Sequence, residues 1–251
     1  MARLVLIFCV FLCQCTPAQQ QRRGNTKIDS FSKAKKHIYR LFAERPATFY
    51  CDCKYSGRVV DHQSCDYRVR KNMKRAARTE IEHVVPAHAF GQSFKAWREG
   101  DGRCTRKDGT RFKGRNCLRK VSRNFRLMEA DMFNLQPAVG EVNADRSNYS
   151  MAMIPGEVRH YGGCDIEIIN RKIEPRPEIR GDIARSYLYM AWAYPGTGII
   201  SKKNRPLLTL WDRQDPVSPW EFKRVRHIEA IQGNRNPFVG SVGSSGQRPT
   251  N

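Results

Sequence analysis

The chain has 251 residues, with 45 lysines and arginines against 24 aspartates and glutamates, and a formal net charge of +21. This length is sufficient for one sizeable hydrophobic core or for two lobes. Such a charge indicates a polyanionic partner, such as nucleic acid or an anionic surface, and does not define the fold. Beyond the first residues no segment is long and apolar enough to cross a membrane, so we expect no membrane partner for the mature protein.

The first residues have the pattern of a secretion signal. A short positive segment (residues 1–3) precedes an apolar segment (4–12), and small residues follow at 16–18. An apolar run of this length is too short to span a bilayer as a helix. We therefore predict a signal peptide over residues 1–18 and a secreted or periplasmic protein, with an uncleaved anchor as the alternative. The polar residues 19–28 are predicted to be disordered.

Six cysteines remain after the predicted signal: Cys51, Cys53, Cys65, Cys104, Cys117 and Cys164. An even number in an exported chain favours disulfides. We expect Cys104 to pair with Cys117, and Cys51 or Cys53 to pair with Cys65. Cys51 and Cys53 should not pair with each other if they lie on a strand, where alternate side chains point apart. A zinc site is the alternative, but Cys51 and Cys53 lack the usual two-residue gap.

The predicted elements follow in chain order. Ser30 should cap a helix that begins at Phe31, because apolar residues then recur at helical spacing. A strand is expected over residues 48–55. A helix is predicted over 182–194, a short one from 206 to 211, and a last one from 219 to 232, where Ser218 is the predicted cap. The main folded domain is expected to span 29–238, and a flexible tail to span 239–251.

Two strongly basic segments are candidates for phosphate binding. The first, over residues 68–78, includes Arg78 and has almost no acidic residues. The second, over residues 95–126, has twelve lysines and arginines against Glu99, Asp101 and Asp108. Cysteines flank its glycine-rich part, which indicates an ordered basic finger, although a solvated charged loop is the alternative. We take its substrate-binding candidates to be Arg103, Arg106 and Lys113.

Two further segments carry candidate chemistry. Glu82 adjoins His83, which places a ligand for a hard cation beside a group that accepts protons near neutral pH. Asn134 could add an amide oxygen, and Mg²⁺ usually takes only one or two protein ligands. Asn134 could instead be a cap or turn residue. Glu129 and Asp131 remain alternative ligands, although charges on a helix surface would also explain them.

These motifs resemble the endonuclease I family of periplasmic and secreted bacterial enzymes. The similarity lies in the segments EHVVPA (residues 82–87), GRNC (114–117) and NLQPAVGEVN (134–143). It continues from the first helix to QGNRNP (232–237) and so covers nearly all of the predicted mature chain. The resemblance implies an α+β fold with a ββα-metal (His-Me finger) core, additional helices and disulfide stabilisation.

The resemblance also implies a function and residue roles. The function is nonspecific, metal-dependent cleavage of DNA, with RNA left open, to products with 5′-phosphate ends. Mg²⁺ is the expected cofactor, with Mn²⁺ and Ca²⁺ as alternatives. His83 would be the general base, Glu82 and Asn134 would hold the metal, and Arg115 would contact the scissile phosphate. Extra residues before Cys117 make Arg103 an alternative to Arg115.

Two other functions remain open from the sequence. A noncatalytic nucleic-acid-binding protein would have the same charge but would not need the catalytic set. A cationic protein that binds membranes or polysaccharides would need a basic amphipathic helix, and no strong one is present. We expect the enzyme to be a monomer.

Overall fold

The structure, a computed structural model, describes residues 23–243. The predicted signal peptide and residues 244–251 of the predicted tail lie outside the described residues. Within the described part, no helix is long and apolar enough to cross a membrane. The architecture is α+β, as predicted, with short sheets packed among helices.

The helices and strands alternate irregularly along the chain. The helices are α1 (Phe31–Leu41), α2 (Met73–Ala76), α3 (Ala87–Gly91), α4 (Lys95–Arg98), α5 (Arg115–Val121), α6 (Arg123–Glu129), α7 (Gly140–Arg146), α8 (Arg180–Ala193), α9 (Arg205–Gln214) and α10 (Pro219–Gln232). The strands are β1 (Tyr55–Ser56), β2 (Val59–Val60), β3 (Thr79–His83), β4 (Leu135–Val139), β5 (Ser150–Met151), β6 (Ile166–Ile169) and β7 (Lys172–Pro175).

The centre of the fold is an antiparallel pair of strands followed by a helix. β3 pairs with β4, and Glu82 lies opposite Gln136 in the register. α7 begins directly after β4 at Gly140. A Cβ atom at Gly140 would lie 2.6 Å from the carbonyl oxygen of Arg75, so the start of α7 packs tightly on the backbone before β3. This ββα unit is the predicted core, and it places the end of β3 against one face of α7.

Helix ends follow local sequence rules where a cap is present. Ser30 Oγ accepts a hydrogen bond from the N–H of Lys33, and Ser218 Oγ accepts one from the N–H of Glu221. Both predicted caps and both helices are thereby confirmed. The helix predicted to start at Asp182 instead begins at Arg180, so Asp182 lies in its first turn and is not the cap.

The segment predicted as a strand over residues 48–55 is mostly a turn. Asp52 has φ of 55°, and its N–H donates to the carbonyl of Thr48 at 2.8 Å. Only Tyr55 and Ser56 form a strand, so the strand prediction is wrong for residues 48–54. Aspartate tolerates the left-handed conformation better than most residues, which explains how the chain reverses there.

The ends of the described chain are more ordered than expected. Asn25, in the segment predicted to be disordered, is 2 % exposed. Its Nδ2 donates to the carbonyls of Ile28 and Leu127, and its N–H donates to Asp131 Oδ2 at 3.3 Å. These contacts hold residues 23–28 on the body of the protein. At the other end, Val239 is buried although it opens the predicted flexible tail.

Three disulfides join the six cysteines. Cys104 pairs with Cys117 and Cys53 pairs with Cys65, as expected. The third disulfide joins Cys51 to Cys164, which are 113 residues apart. The zinc alternative is therefore excluded for these cysteines. The long-range bridge ties the turn at Cys51 to the segment before β6.

We predict that the long-range disulfide contributes most to stability. In the chain-entropy description, closing a loop of about 100 residues stabilises by about 4.7 kcal/mol, and closing one of about 15 residues by about 3 kcal/mol. The paired change Cys51→Ser with Cys164→Ser should therefore lower the free energy of unfolding more than Cys104→Ser with Cys117→Ser. Urea denaturation of the two variants measures this difference, and the opposite order would contradict the prediction.

Candidate active site

A basic cleft of about 810 Å³ opens beside the end of β3. Its charged lining comprises six cationic side chains and two carboxylates: Lys35, Arg58, Arg75, Arg78, Arg115, Arg146, Glu80 and Glu82. His83, Asn143 and Phe31 also line it. An excess of cations in a concave site raises the local concentration of an anionic ligand. The cleft therefore suits a polyanion and contains several of the predicted site residues.

His83 is buried with one ring nitrogen fixed. Its Nε2 lies 2.8 Å from the carbonyl oxygen of Glu129. A carbonyl can only accept, so Nε2 carries the proton and the neutral ring has its lone pair on Nδ1. Arg115 Nη2 lies 3.5 Å from that Nδ1, at the cleft. Burial, with the positive charge of Arg115, lowers the pKa of His83 to about 3. The imidazole is thus neutral at pH 7 and can accept a proton.

A shared carboxylate and an aromatic ring hold the arginine next to His83. Arg115 and Arg119 both donate to the buried carboxylate of Glu129, the latter at 2.7 Å and 2.9 Å. Both guanidinium groups also lie over the ring of Phe31, at 5.6 Å and 5.9 Å from its centroid. Phe31 in turn packs on the His83 ring, with centroids 4.7 Å apart. Arg115 is therefore oriented before any substrate binds.

Glu82 is buried beside a positive charge from α7. Its Oε1 accepts a hydrogen bond from Tyr50 at 2.9 Å and lies 3.2 Å from Arg146 Nε. The Arg146 Nε–H is not directed at that oxygen and has no hydrogen-bond partner, so this is an ion pair only. Burial raises the pKa of Glu82, and the charge of Arg146 opposes that rise. Both neighbours approach Oε1, which leaves Oε2 clear of them.

Asn143 approaches β3 one helical turn before Arg146. Its Nδ2 donates to Glu80 Oε2 at 2.9 Å. Arg75 and Arg78 also donate to Glu80, Arg78 through Nη2 at 2.8 Å. Because a carboxylate accepts only, the contact with Glu80 fixes which way the amide of Asn143 is turned. The amide oxygen, Oδ1, is then left for another partner in the cleft.

Asn134 lies elsewhere. It is fully buried, its Oδ1 accepts from the N–H of Val85 at 2.6 Å, and its Nδ2 donates to the carbonyl of Val85 at 2.9 Å. It is not among the residues that line the cleft. This placement does not support Asn134 as a metal ligand, since both polar atoms of its amide already pair with the backbone. Asn143 and Asn148 line the cleft instead, and Asn143 contacts Glu80 of β3.

The alternative acidic ligands have structural partners instead. Glu129 is engaged by two arginines, as described above. Asp131 is fully buried, and its Oδ2 accepts hydrogen bonds from Tyr189 and Tyr194, each at 2.7 Å. Neither acid lines the cleft. Asp131 therefore fixes the N-terminal segment and α8 to the core, and it does not take part in the site.

The basic segments divide between the cleft and the outer surface. Arg78 lines the cleft, whereas Arg103, Arg106 and Lys113 do not. Arg103 is exposed and forms an ion pair with Asp101 at 2.9 Å. Arg106 lies over the ring of Phe112, at 5.6 Å. The structure thus brings Arg115, and not Arg103, next to His83.

Other residues of the cleft were missed from the sequence. Lys35 and Arg58 come from two separate segments, and no local motif joins them, whereas Arg75 belongs to the first basic segment (residues 68–78) that the sequence indicated. Asn143 could have been proposed from the sequence. It belongs to α7, the helix that follows the second strand of the ββα unit, and it lies three positions before Arg146. Such a spacing puts both side chains on one helix face. The local sequence does not show which face of α7 contacts β3, because the packing of the two elements determines it.

Comparison with known proteins agrees with this geometry. The model of the endonuclease I family matches residues 19–242. The chain belongs to the endonuclease I family. A periplasmic deoxyribonuclease of Aeromonas hydrophila is 40% identical over 232 residues, covering 89% of each chain. An extracellular deoxyribonuclease of the same organism is 42% identical over 217 residues, covering 84% of this chain and 88% of the relative.

A third relative extends the range of organisms. The endonuclease-1 of Buchnera aphidicola subsp. Acyrthosiphon pisum is 39% identical over 218 residues, which cover 84% of this chain and 81% of the relative. The family membership confirms the predicted nuclease and the ββα-metal fold class. The expected export agrees with the two Aeromonas relatives, which are a periplasmic and an extracellular enzyme.

We predict that burial of neutral His83 makes this endonuclease less stable in acid. The pKa of the folded group is lowered to about 3, whereas the unfolded group titrates near 6.5. Below about pH 6.5 the unfolded chain therefore binds a proton that the folded chain does not. This histidine should lower the free energy of unfolding by about 2 kcal/mol between pH 8 and pH 5.

The measurement is urea denaturation of metal-free protein at both pH values. The variant His83→Asn provides the reference, because other groups also titrate in this range. The wild-type protein should lose more stability on acidification than the variant. Equal losses would show that His83 is protonated normally in the folded state.

Proposed function

We propose that this protein is a Mg²⁺-dependent nonspecific endonuclease that hydrolyses DNA to products with 5′-phosphate ends, acting as a monomer. The observation that carries the proposal is the unprotonated Nδ1 of neutral His83, which faces Arg115 and lies near Glu82 in a strongly basic cleft. The names of the relatives support DNA as the substrate.

His83 acts as the general base. Its Nδ1 accepts a proton from the attacking water, while the Nε2–H bond to the Glu129 carbonyl keeps the ring in the productive tautomer and orientation. That carbonyl also stabilises the imidazolium that forms, since it accepts from a ring N–H that becomes more acidic. The lowered pKa of His83 keeps the base unprotonated before each turnover.

Arg115 binds the scissile phosphate. Its guanidinium offers a planar set of donors that matches nonbridging phosphate oxygens, and its hydrogen bond to Glu129 fixes its position. Arg58, Arg75 and Arg78 line the cleft and are suited to neighbouring phosphates. Contacts to the backbone alone carry no base sequence, which accounts for nonspecific cleavage.

The cleft also has donors that suit a divalent cation. Glu82 offers a carboxylate oxygen clear of Tyr50 and Arg146, and Asn143 offers an amide oxygen. Two oxygen ligands from the protein, with water and phosphate in the other positions, match the habit of Mg²⁺. When bound, the ion would neutralise charge on the phosphate and on the leaving 3′-oxygen. Glu80 keeps Asn143 turned for this role and pairs with Arg75 and Arg78, which would otherwise repel a cation.

A digestion assay tests the function directly. The purified protein should cleave plasmid DNA in the presence of Mg²⁺ and should lose this activity in EDTA. His83→Ala should lower kcat by on the order of 10²–10⁴ while DNA binding is retained. If the wild-type protein binds DNA but does not cleave it, the noncatalytic alternative is indicated instead. A parallel assay on RNA of matched sequence shows whether RNA is also a substrate.

Two asparagine variants form a matched pair for the metal site. Asn143→Ala should weaken Mn²⁺ binding by on the order of 10-fold or more, because so few protein ligands hold such an ion. Asn134→Ala should leave Mn²⁺ affinity unchanged and lower the free energy of unfolding by about 1–3 kcal/mol, because it leaves buried backbone groups of Val85 without partners. Calorimetric titration and urea denaturation separate the two effects, and the reverse pattern would restore Asn134 as the ligand.

A further inference from the structure

Three carboxylates meet at the β5–β6 connection, outside the cleft. One oxygen each from Glu157, Asp165 and Glu167 lie within 4.8 Å of one another. Glu157 and Asp165 belong to the segment between β5 and β6, and Glu167 belongs to β6. None of them lines the cleft. The group is therefore separate from the active site.

One arginine compensates only part of this negative charge. Arg159 Nη2 lies 2.9 Å from Glu157 Oε2, and its Nη1 lies 2.8 Å from Asp165 Oδ1. Three carboxylates against one guanidinium leave a local charge of −2 when all are ionised. Each of the two paired carboxylates also keeps a second oxygen that Arg159 does not contact in these ion pairs.

Glu167 provides the observation that points to a ligand. The residue is 2 % exposed, and its Oε1 is buried with no hydrogen-bond partner. A buried carboxylate oxygen without a partner is costly, and such groups normally pair with a donor or coordinate a metal. Burial and the charges of Glu157 and Asp165 raise the pKa of Glu167 to about 7. The charge of Arg159 opposes this rise, but its guanidinium already pairs with Glu157 and Asp165.

We propose that Glu157, Asp165 and Glu167 bind a divalent cation, with Ca²⁺ preferred, at a second site distinct from the cleft. A charge of +2 balances the local surplus, and the ion supplies the missing partner of Glu167. Ca²⁺ accepts six to eight oxygen ligands in flexible geometry. The side chain of Glu157 is 60 % exposed, which leaves room for water to complete the coordination.

The site would fasten the β5–β6 connection to its sheet. Asp165 follows Cys164, whose disulfide already anchors one end of this segment. The ion would anchor Glu157, nearer the middle of the connection, to β6. Extracellular modules commonly bind Ca²⁺ with a Kd on the order of 10⁻⁴–10⁻³ M, which suits an exported enzyme.

The test uses the full mature protein with the change Asn143→Ala, which weakens the cleft as a competing metal site. Calorimetric titration with CaCl₂ should show one site per chain, and Ca²⁺ should raise Tm. Adding Glu167→Gln should weaken Ca²⁺ binding by on the order of 10-fold or more, because ligand charge sets affinity. Adding Glu99→Gln, an exposed acid elsewhere, serves as the matched control and should leave binding unchanged.

The quantity to compare between variants is the change in Tm on adding Ca²⁺, and not Tm itself. Glu167→Gln removes a buried charge and can raise Tm without any ion. Nuclease activity of Glu167→Gln in an otherwise wild-type chain, assayed with Mg²⁺, should be normal, which separates this site from the catalytic one. Absence of Ca²⁺ binding, or equal Ca²⁺ responses with and without Glu167→Gln, would overturn the proposal. Tighter binding of Mg²⁺ than of Ca²⁺ would overturn the choice of ion.

Discussion

The candidate active site depends on a buried arginine of α7 that lies at the end of β3. Arg146 is 1 % exposed, and it donates to the carbonyls of His83 and Val84 while its charge opposes that of Glu82. An unpaired guanidinium at this depth would be strongly destabilising, so the arginine and its partners must be assembled together. The interaction closes the ββα unit and also sets the positions of the candidate base and the candidate metal ligand.

Acidic residues organise this basic protein from within. Glu129 joins Arg115 to Arg119, and Glu80 joins Arg75 to Arg78. In each pair a single carboxylate relieves the repulsion between two neighbouring cations. The guanidinium groups are thus held in place before an anion arrives, so little reorganisation is needed on binding. Each pair of arginines keeps one excess positive charge, which a polyanion complements.

Sequence rules worked where the determining contacts are local. Ser30 and Ser218 each cap a helix through a hydrogen bond three residues along, and their sequences predict this. The sequence rules failed where contacts between distant segments determine the position of a side chain. The backbone pairing of Asn134 with Val85 and the approach of Asn143 to Glu80 depend on how β4 and α7 pack on β3. The sequence motif contains both asparagines and does not distinguish them. The orientation of His83 likewise depends on a carbonyl that lies 46 residues further along.

The Cys104–Cys117 disulfide closes the base of the basic insert, the glycine-rich part of residues 95–126, and leaves the tip around Gly109 exposed. Phe112 donates its N–H to the carbonyl of Cys104, and Gly109 turns the tip with φ of 83°. Arg115 lies on α5, outside this small hairpin. Lengthening a loop costs only about 0.6 kcal/mol for each doubling, so the tip can grow or shrink at little cost to stability. The electrostatic reach of the insert can therefore evolve independently of the catalytic geometry.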